Sequence, residues 1–373
     1  MNPESVFCLN IDCPARGQQG KENIGIHSEK DGRYICKVCE KAFTATKGTV
    51  FYRLRTDPTI VMQVITLQAY GCPTQAIVEA FGLDERTVKN WWQRAGVHCQ
   101  AVHEHLVEGS RFDLIHVQAD EIRAKLQGQV VWMAMAIMVP TRLWLGGVIS
   151  VSRNKGLIEA LVAKVRATAL CLPLLLAVDG LSSYVGAFQR AFRSPLPRHG
   201  RLGRPKLVAW PDIVIVQVVK RRTAKKLDIL RRIVQGCETQ VNMLILRSQG
   251  GGVINTAYIE RLNATFRQRL ACLARRTRCL ARQEETLAAG MHIVGCFYNF
   301  CDNHHSLRLC LWITERRRHW VQRTPAMAAG LTDHRWSPTE LFWFKVPPPP
   351  WTPPKRRGRR SKETLKLIEM WAL

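Results

Sequence analysis

Between residues 112 and 219 the apolar positions come mostly in short continuous runs, each stopped by polar or turn residues. Phe112 to Ile122 reads as a strand with Asp120 and Glu121 at its end. Val130–Pro140 and Leu143–Val151 follow, separated by Pro-Thr-Arg, and predict an antiparallel meander. Leu157 to Leu170 has helical spacing. Leu174–Val178 is a short buried strand that stops at Asp179-Gly180, and Val185–Phe192 is helical. Ile213–Val219 is a β-branched run ending at Lys220-Arg221-Arg222. After Gly250-Gly251-Gly252 a helical pattern runs to about Cys279, and another runs from Gln283 to Asn299. Strands interleaved with helices predict an α/β domain, a mixed sheet flanked by helices.

The first hundred residues follow other patterns. Ile60, Val61, Val64, Ile65 and Leu67 form one helical face. A second helix is predicted from Pro73-Thr74 to Phe81, and Gly82-Leu83 breaks it. Asp84 can cap a third helix, with Glu85 in its first turn. That helix carries Arg86, Thr87, Lys89, Asn90, Gln93 and Arg94, side chains able to read bases or hold phosphates, so the segment reads as a helix-turn-helix. Trp91 and Trp92 read as packing residues. Before it, Cys8-x4-Cys13 and Cys36-x2-Cys39 are two pairs separated by 22 residues, with glycines between them. Four thiolates suit tetrahedral Zn²⁺, and His27 is an alternative ligand.

Charge changes the picture more than composition does. Lys and Arg number 55 against 29 Asp and Glu, giving a formal net charge of +26. Such a field favours a polyanionic partner, and nucleic acid fits best. No run approaches the roughly 18 apolar residues of a membrane span. Met1-Asn2-Pro3-Glu4-Ser5 lacks the basic and apolar regions of a leader, so a prokaryotic cytoplasmic, nucleoid-associated location is expected. Thirteen cysteines cannot all pair within one chain. In a reducing cytosol they serve as metal ligands or small core residues, and Cys272, Cys279, Cys296 and Cys301, with His304, read as packing.

Against this basic background a retained acid needs a reason. Asp120 and Asp179 end apolar strands, and Glu260 sits in the arginine-rich segment Tyr258–Arg267. On a helix Glu260, Asn263 and Arg267 fall on one face. Three carboxylates can hold Mg²⁺ or Mn²⁺. A pair of such ions roughly 3.5–4 Å apart supports phosphodiester chemistry. The competing reading makes each acid a strand terminator or a surface ion-pair member.

At the C-terminal end, Pro347–Pro354 contains six prolines and predicts an extended spacer. The following Lys355-Arg356-Arg357-Gly358-Arg359-Arg360 resembles an AT-hook, with Arg357 and Arg359 as DNA contacts, or serves as a phosphate tether. Gly203-Arg204-Pro205-Lys206 echoes it.

Together these passages resemble the DDE transposases of bacterial insertion sequences, especially the group typified by insertion sequence one. Ala119-Asp120-Glu121 looks like the first-aspartate strand, and Val178-Asp179-Gly180 followed by Tyr184 like the second. Ile259-Glu260-Arg261-Leu262-Asn263, with Arg267, Arg269-Leu270 and Arg275-Arg276-Thr277, is similar to the glutamate helix. Tyr298-Asn299-Phe300-Cys301, with His304 and Ser306-Leu307, resembles the closing segment of such cores. The resemblance spans about residues 8 to 310. It implies a zinc ribbon (1–52), a helix-turn-helix domain (55–100) and an RNase H-like catalytic core (108–310); beyond it the residues read as a basic Pro-rich, partly disordered extension (311–373). It further implies Mg²⁺ or Mn²⁺ on Asp120, Asp179 and Glu260, with Glu121 as another candidate for the first position. Asn263 and Arg267 would orient the helix or hold a phosphate. The implied partners are double-stranded DNA, as terminal inverted repeats and target, and further copies of the chain, as a homodimer or higher assembly. The four-residue spacing of the first cysteine pair departs from the usual ribbon. Two alternatives stay open, a non-enzymatic DNA-binding regulator and a transposase that folds but no longer cuts.

Overall fold

The computed structural model describes residues 2–197, 203–222, 227–314, 317–353, 355 and 358–372. These divide into two compact units, Met1–Val61 with Phe342–Leu373, and Met62–Leu341.

The smaller unit is built on a three-stranded antiparallel sheet of β1 (Ile24–Ser28), β2 (Arg33–Cys36) and β3 (Ala42–Thr44). The buried cluster around this sheet contains eight residues, three of them cysteines, a small apolar core for such a fold. The C-terminal segment folds onto this unit. Arg16 donates from Nε to the carbonyl of Pro349 at 2.7 Å and from Nη2 to that of Pro350 at 3.0 Å. Phe51 and Trp343 pack ring on ring at 4.8 Å. A helix over Lys362–Trp371 is capped by Ser361, and Trp371 packs against the cysteine-rich core. The proline run is therefore pinned rather than a free spacer. Its carbonyls have no helix or sheet to join, so they accept from a guanidinium instead.

Three helices follow in the chain, α1 (Pro58–Ala69), α2 (Thr74–Phe81) and α3 (Glu85–His103). The stops are those the sequence predicts. Gly82 takes the left-handed conformation (φ 61°) at the end of α2, and the Asp84 side chain accepts from the backbone N–H of Arg86 (2.8 Å) and Thr87 (3.3 Å). The third helix is longer than its basic face implies. Its C-terminal half is buried, and a Cβ on Gly96 would lie 2.3 Å from that of Ala289, so the helices touch almost backbone to backbone.

The centre is a six-stranded mixed sheet flanked by helices. Its strands are β4 (His116–Leu126), β5 (Gln129–Met138), β6 (Leu143–Ser150), β7 (Leu174–Asp179), β10 (Ile213–Arg222) and β11 (Leu227–Gln235). A small hairpin, β8 (Arg193–Pro195) with β9 (Leu207–Ala209), lies apart from it. The spatial order is β11-β10-β7-β4-β5-β6, with β4, β7 and β10 parallel. The chain moves outward from β4 through β5 and β6, then returns through α4 (Lys155–Thr168) to lay β7 on the other side of β4. That reversal creates a switch point between β4 and β7, where open α/β sheets form crevices at strand carboxyl ends. The remaining helices are α5 (Ser182–Ala191), α6 (Glu238–Gln249), α7 (Ala257–Arg269) and α8 (Glu284–Cys296).

Four differences from the sequence expectations have physical causes. Phe112 only bridges to Ala169, and the regular strand starts at His116. Strand β11 carries arginines among its apolar residues because it is an edge strand with much exposed surface. Helix α7 stops at Arg269 rather than near Cys279. Leu270 turns extended, Leu270 and Leu273 are buried, and Gln127 donates to the carbonyl of Ala281, which draws the chain to the end of β4. Finally, the region after residue 308 contains an antiparallel hairpin, β12 (Leu309–Thr314) with β13 (Arg317–Val321).

Candidate metal centres and nucleic-acid contacts

In the smaller unit the sulfurs of Cys8, Cys13, Cys36 and Cys39 all lie within 4.8 Å of one another. Cys8 and Cys39 are 3.7 Å apart, as are Cys13 and Cys36. Tetrahedral zinc with bonds of about 2.3 Å requires sulfur separations of roughly 3.8 Å, so the set fits Zn²⁺. Glu40 adopts φ 56°, which turns the chain tightly after Cys39. Burial pushes the Cys8 thiol up to about 12. Burial also acts on Cys39, but donors from Lys41 and Asn10 outweigh it and bring its thiol down to about 7. His27 lies outside this cluster on an exposed stretch of β1.

In the larger unit the register Ala119↔Val178 brings Asp120 and Asp179, the next residues, alongside each other at the switch point. Carboxylate oxygens of Asp120, Glu121 and Asp179 lie within 4.8 Å of one another. Glu121 accepts from the Tyr184 hydroxyl (2.9 Å) and is gripped by Arg153, which also reaches Asp179 at 3.3 Å. Burial, then the neighbouring Glu121, Asp179 and Glu260 charges, push Asp120 up to about 7. Burial and Asp179 push Glu121 up as well, against the pull of Tyr184 and Arg153. Hard oxygen donors packed this closely suit a divalent cation, which would relieve their repulsion.

Glu260 lines the same cleft of about 720 Å³, together with Asp120, Asp179, Lys220, Arg267 and Arg275. Its carboxylate is not among the three that converge. It accepts from Lys220 and, at 2.6 Å, from Thr256. Burial alone would raise it, but these two donors hold it below the usual range. Asn263 donates to Asp120 at 2.8 Å, while its own Oδ1 is buried without a partner.

Two positioning groups escaped sequence reasoning. Gln118 Oε1 accepts from the backbone N–H of Tyr258 (3.0 Å) and Ile259 (3.1 Å), so β4 caps the first turn of α7. The available signal was a polar residue two positions before Asp120, hence on the same strand face. Arg153 lies in the loop after β6 and had no such signal. With the Asn263 bond, Gln118 fixes α7 to β4 at two points.

On α3, Arg86, Lys89 and Asn90 are exposed, while Thr87, Gln93 and Arg94 are half-buried. The Gln93 amide donates to Thr286 at 3.1 Å. Trp91 and Trp92 are buried, as expected. Arg359 is exposed near the capped C-terminal helix, and Arg357 lies outside the described residues. Cys296 and Cys301 are buried, and Cys296 lies 3.2 Å from the carbonyl of Cys99. No helix among the described residues is long and apolar enough to cross a membrane.

No protein-family model matches the chain, and no curated protein matches its sequence.

Proposed function

We propose that this chain is a DDE-type transposase that binds the terminal inverted repeats of an insertion sequence and carries out metal-dependent strand cleavage and strand transfer. On this reading the mixed sheet is an RNase H-like core and the cysteine unit a zinc ribbon. The observation that carries it is the meeting of Asp120, Glu121 and Asp179 at the switch point of a basic sheet protein, in a cleft that also contains Glu260. Asp120 and Asp179 would hold the ions, with Glu121 or Glu260 completing the set. When bound, Mg²⁺ or Mn²⁺ would lower the pKa of the attacking oxygen and neutralise the departing one. Arg267 and Arg275 line the cleft and would grip the flanking phosphates. Gln118 and Asn263 keep α7 in place against the aspartate strand while DNA is bound. Arg86, Lys89 and Asn90 are available to a duplex, and the AT-hook-like tail would add a tether.

One observation favours a second reading, a non-enzymatic DNA-binding regulator. Arg153 and Lys220 already neutralise the acids, as in a purely structural charge cluster. The two readings separate in a strand-cleavage assay on duplexes carrying the DNA that flanks the reading frame. Nicking by wild type with Mg²⁺, and none by Asp120→Asn, is the transposase outcome. Equal products from both proteins sink it. Wild-type activity in Glu260→Gln beside an inactive Asp120→Asn would make Glu121 the third ligand.

A further inference from the structure

Helix α7 borders two clefts. Glu260, Asn263 and Arg267 face the carboxylates, whereas Tyr258, Arg261 and Arg269 line a separate cavity of about 460 Å³. Four arginines, Arg142, Arg261, Arg269 and Arg335, line that cavity against one acid, Asp302. Asp302 is already engaged: Arg269 Nη1 stands 2.7 Å from it, and the Tyr70 hydroxyl donates to it at 2.8 Å. Arg335 donates to the carbonyl of Cys301, and Arg142 to that of Val139 while stacking 3.9 Å over the Tyr258 ring. The Arg261 guanidinium has no acceptor among the described residues.

Among the described residues lining the cavity, one carboxylate stands against four guanidiniums, so most of this positive charge is uncompensated. Arg142 is half-buried, and both its burial and the nearby Arg261 charge work against its protonated form. A protein gathers cations at such a cost where an outside anion completes the set. The cavity exceeds the size of an inorganic ion and falls in the range of small-ligand sites. Tyr298 and His304 line it, edge to face at 4.7 Å, and give it aromatic walls.

We infer that this cavity is a second nucleic-acid site, which takes a phosphate-bearing nucleotide of an unpaired strand on the face of α7 opposite the carboxylates. The inference rests on the DNA-handling reading for its ligand class but not on the cleavage chemistry. Arg261 would bind the phosphate directly, with Arg142 and Arg269 supplying field, and the aromatic walls would receive the base.

The test is binding of a fluorescein-labelled decathymidylate by the full chain without divalent metal. Arg261→Ala should weaken it about tenfold, the size of one charge-assisted hydrogen bond, and flatten the salt dependence by about 0.7. Arg261→Lys should recover part of the loss. Arg232→Ala removes the same charge from exposed β11 and should change binding far less. Asp120→Asn should bind the strand like wild type even if it cannot cleave, which separates failure of this site from failure of the catalytic reading. Unchanged binding by Arg261→Ala would overturn the inference, as would equal losses in Arg261→Ala and Arg232→Ala. A loss equally large on duplex DNA would overturn the assignment to an unpaired strand.

Discussion

The cysteine cluster and the carboxylate cluster are both metal-shaped, yet they are built on opposite principles. The four sulfurs sit 3.7 Å apart in pairs, and among the described residues no cationic side chain is bonded to them, in a unit with a small buried cluster. The carboxylates sit in a well-packed domain and are already partnered, Glu121 and Asp179 by Arg153 and Glu260 by Lys220. The first arrangement would make a bound ion part of the fold. The second would make it exchangeable, since Arg153 and Lys220 neutralise the acids without an ion and would have to yield to one.

The largest expected effect tests the first half of this contrast. Cys36→Ser, or exhaustive chelation, should unfold β1–β3, since structural zinc contributes about 10–16 kcal/mol in small zinc domains. Hydrogen exchange and zinc content measure it, and a protected β1–β3 sheet in zinc-free protein would erase the difference between the sites. Next, Asp120→Asn should weaken Mn²⁺ binding, followed by calorimetry, by more than about 100-fold, without lowering zinc content. Asn263→Ala, which removes an outer hydrogen bond, should cost only about 10-fold. Similar losses from both variants would remove Asp120 from the ligand set.

A smaller effect is pH dependence. Asp120 is raised in the folded chain from 3.8 to about 7, so the folded state holds a proton that the unfolded state has lost. Ion-free protein should therefore lose stability as pH rises between those values. Mn²⁺ affinity should climb over the same range, because binding releases that proton. A flat unfolding midpoint from pH 4 to pH 7 in wild type, matching Asp120→Asn, would contradict this. The smallest effect is expected from Arg153→Gln, which withdraws a competing cation and should tighten Mn²⁺ binding a few-fold. Weaker binding would mean that Arg153 organises the ligands rather than substitutes for the ion.

Much of this contrast is legible in the sequence. Local chemistry fixes it wherever neighbours in the chain settle the outcome. Gly82 and Asp84 set the helix boundaries because a left-handed stop and a side-chain cap are one-residue events. Paired cysteine spacings foretell four converging thiols, and apolar runs ending in Asp120 and Asp179 foretell strand-end acids. Tertiary structure alone decided the rest. Parallel pairing of β4 with β7, across more than fifty residues, is what sets Asp120 beside Asp179 and draws Glu121 into their company. The bonds from Gln118 and Lys220 to α7 decide where Glu260 rests. The early end of α7 follows from Leu270 and Leu273 being buried, a demand that helix periodicity cannot express. Propensity acts over a few residues, whereas charge compensation and burial depend on groups that only folding brings together.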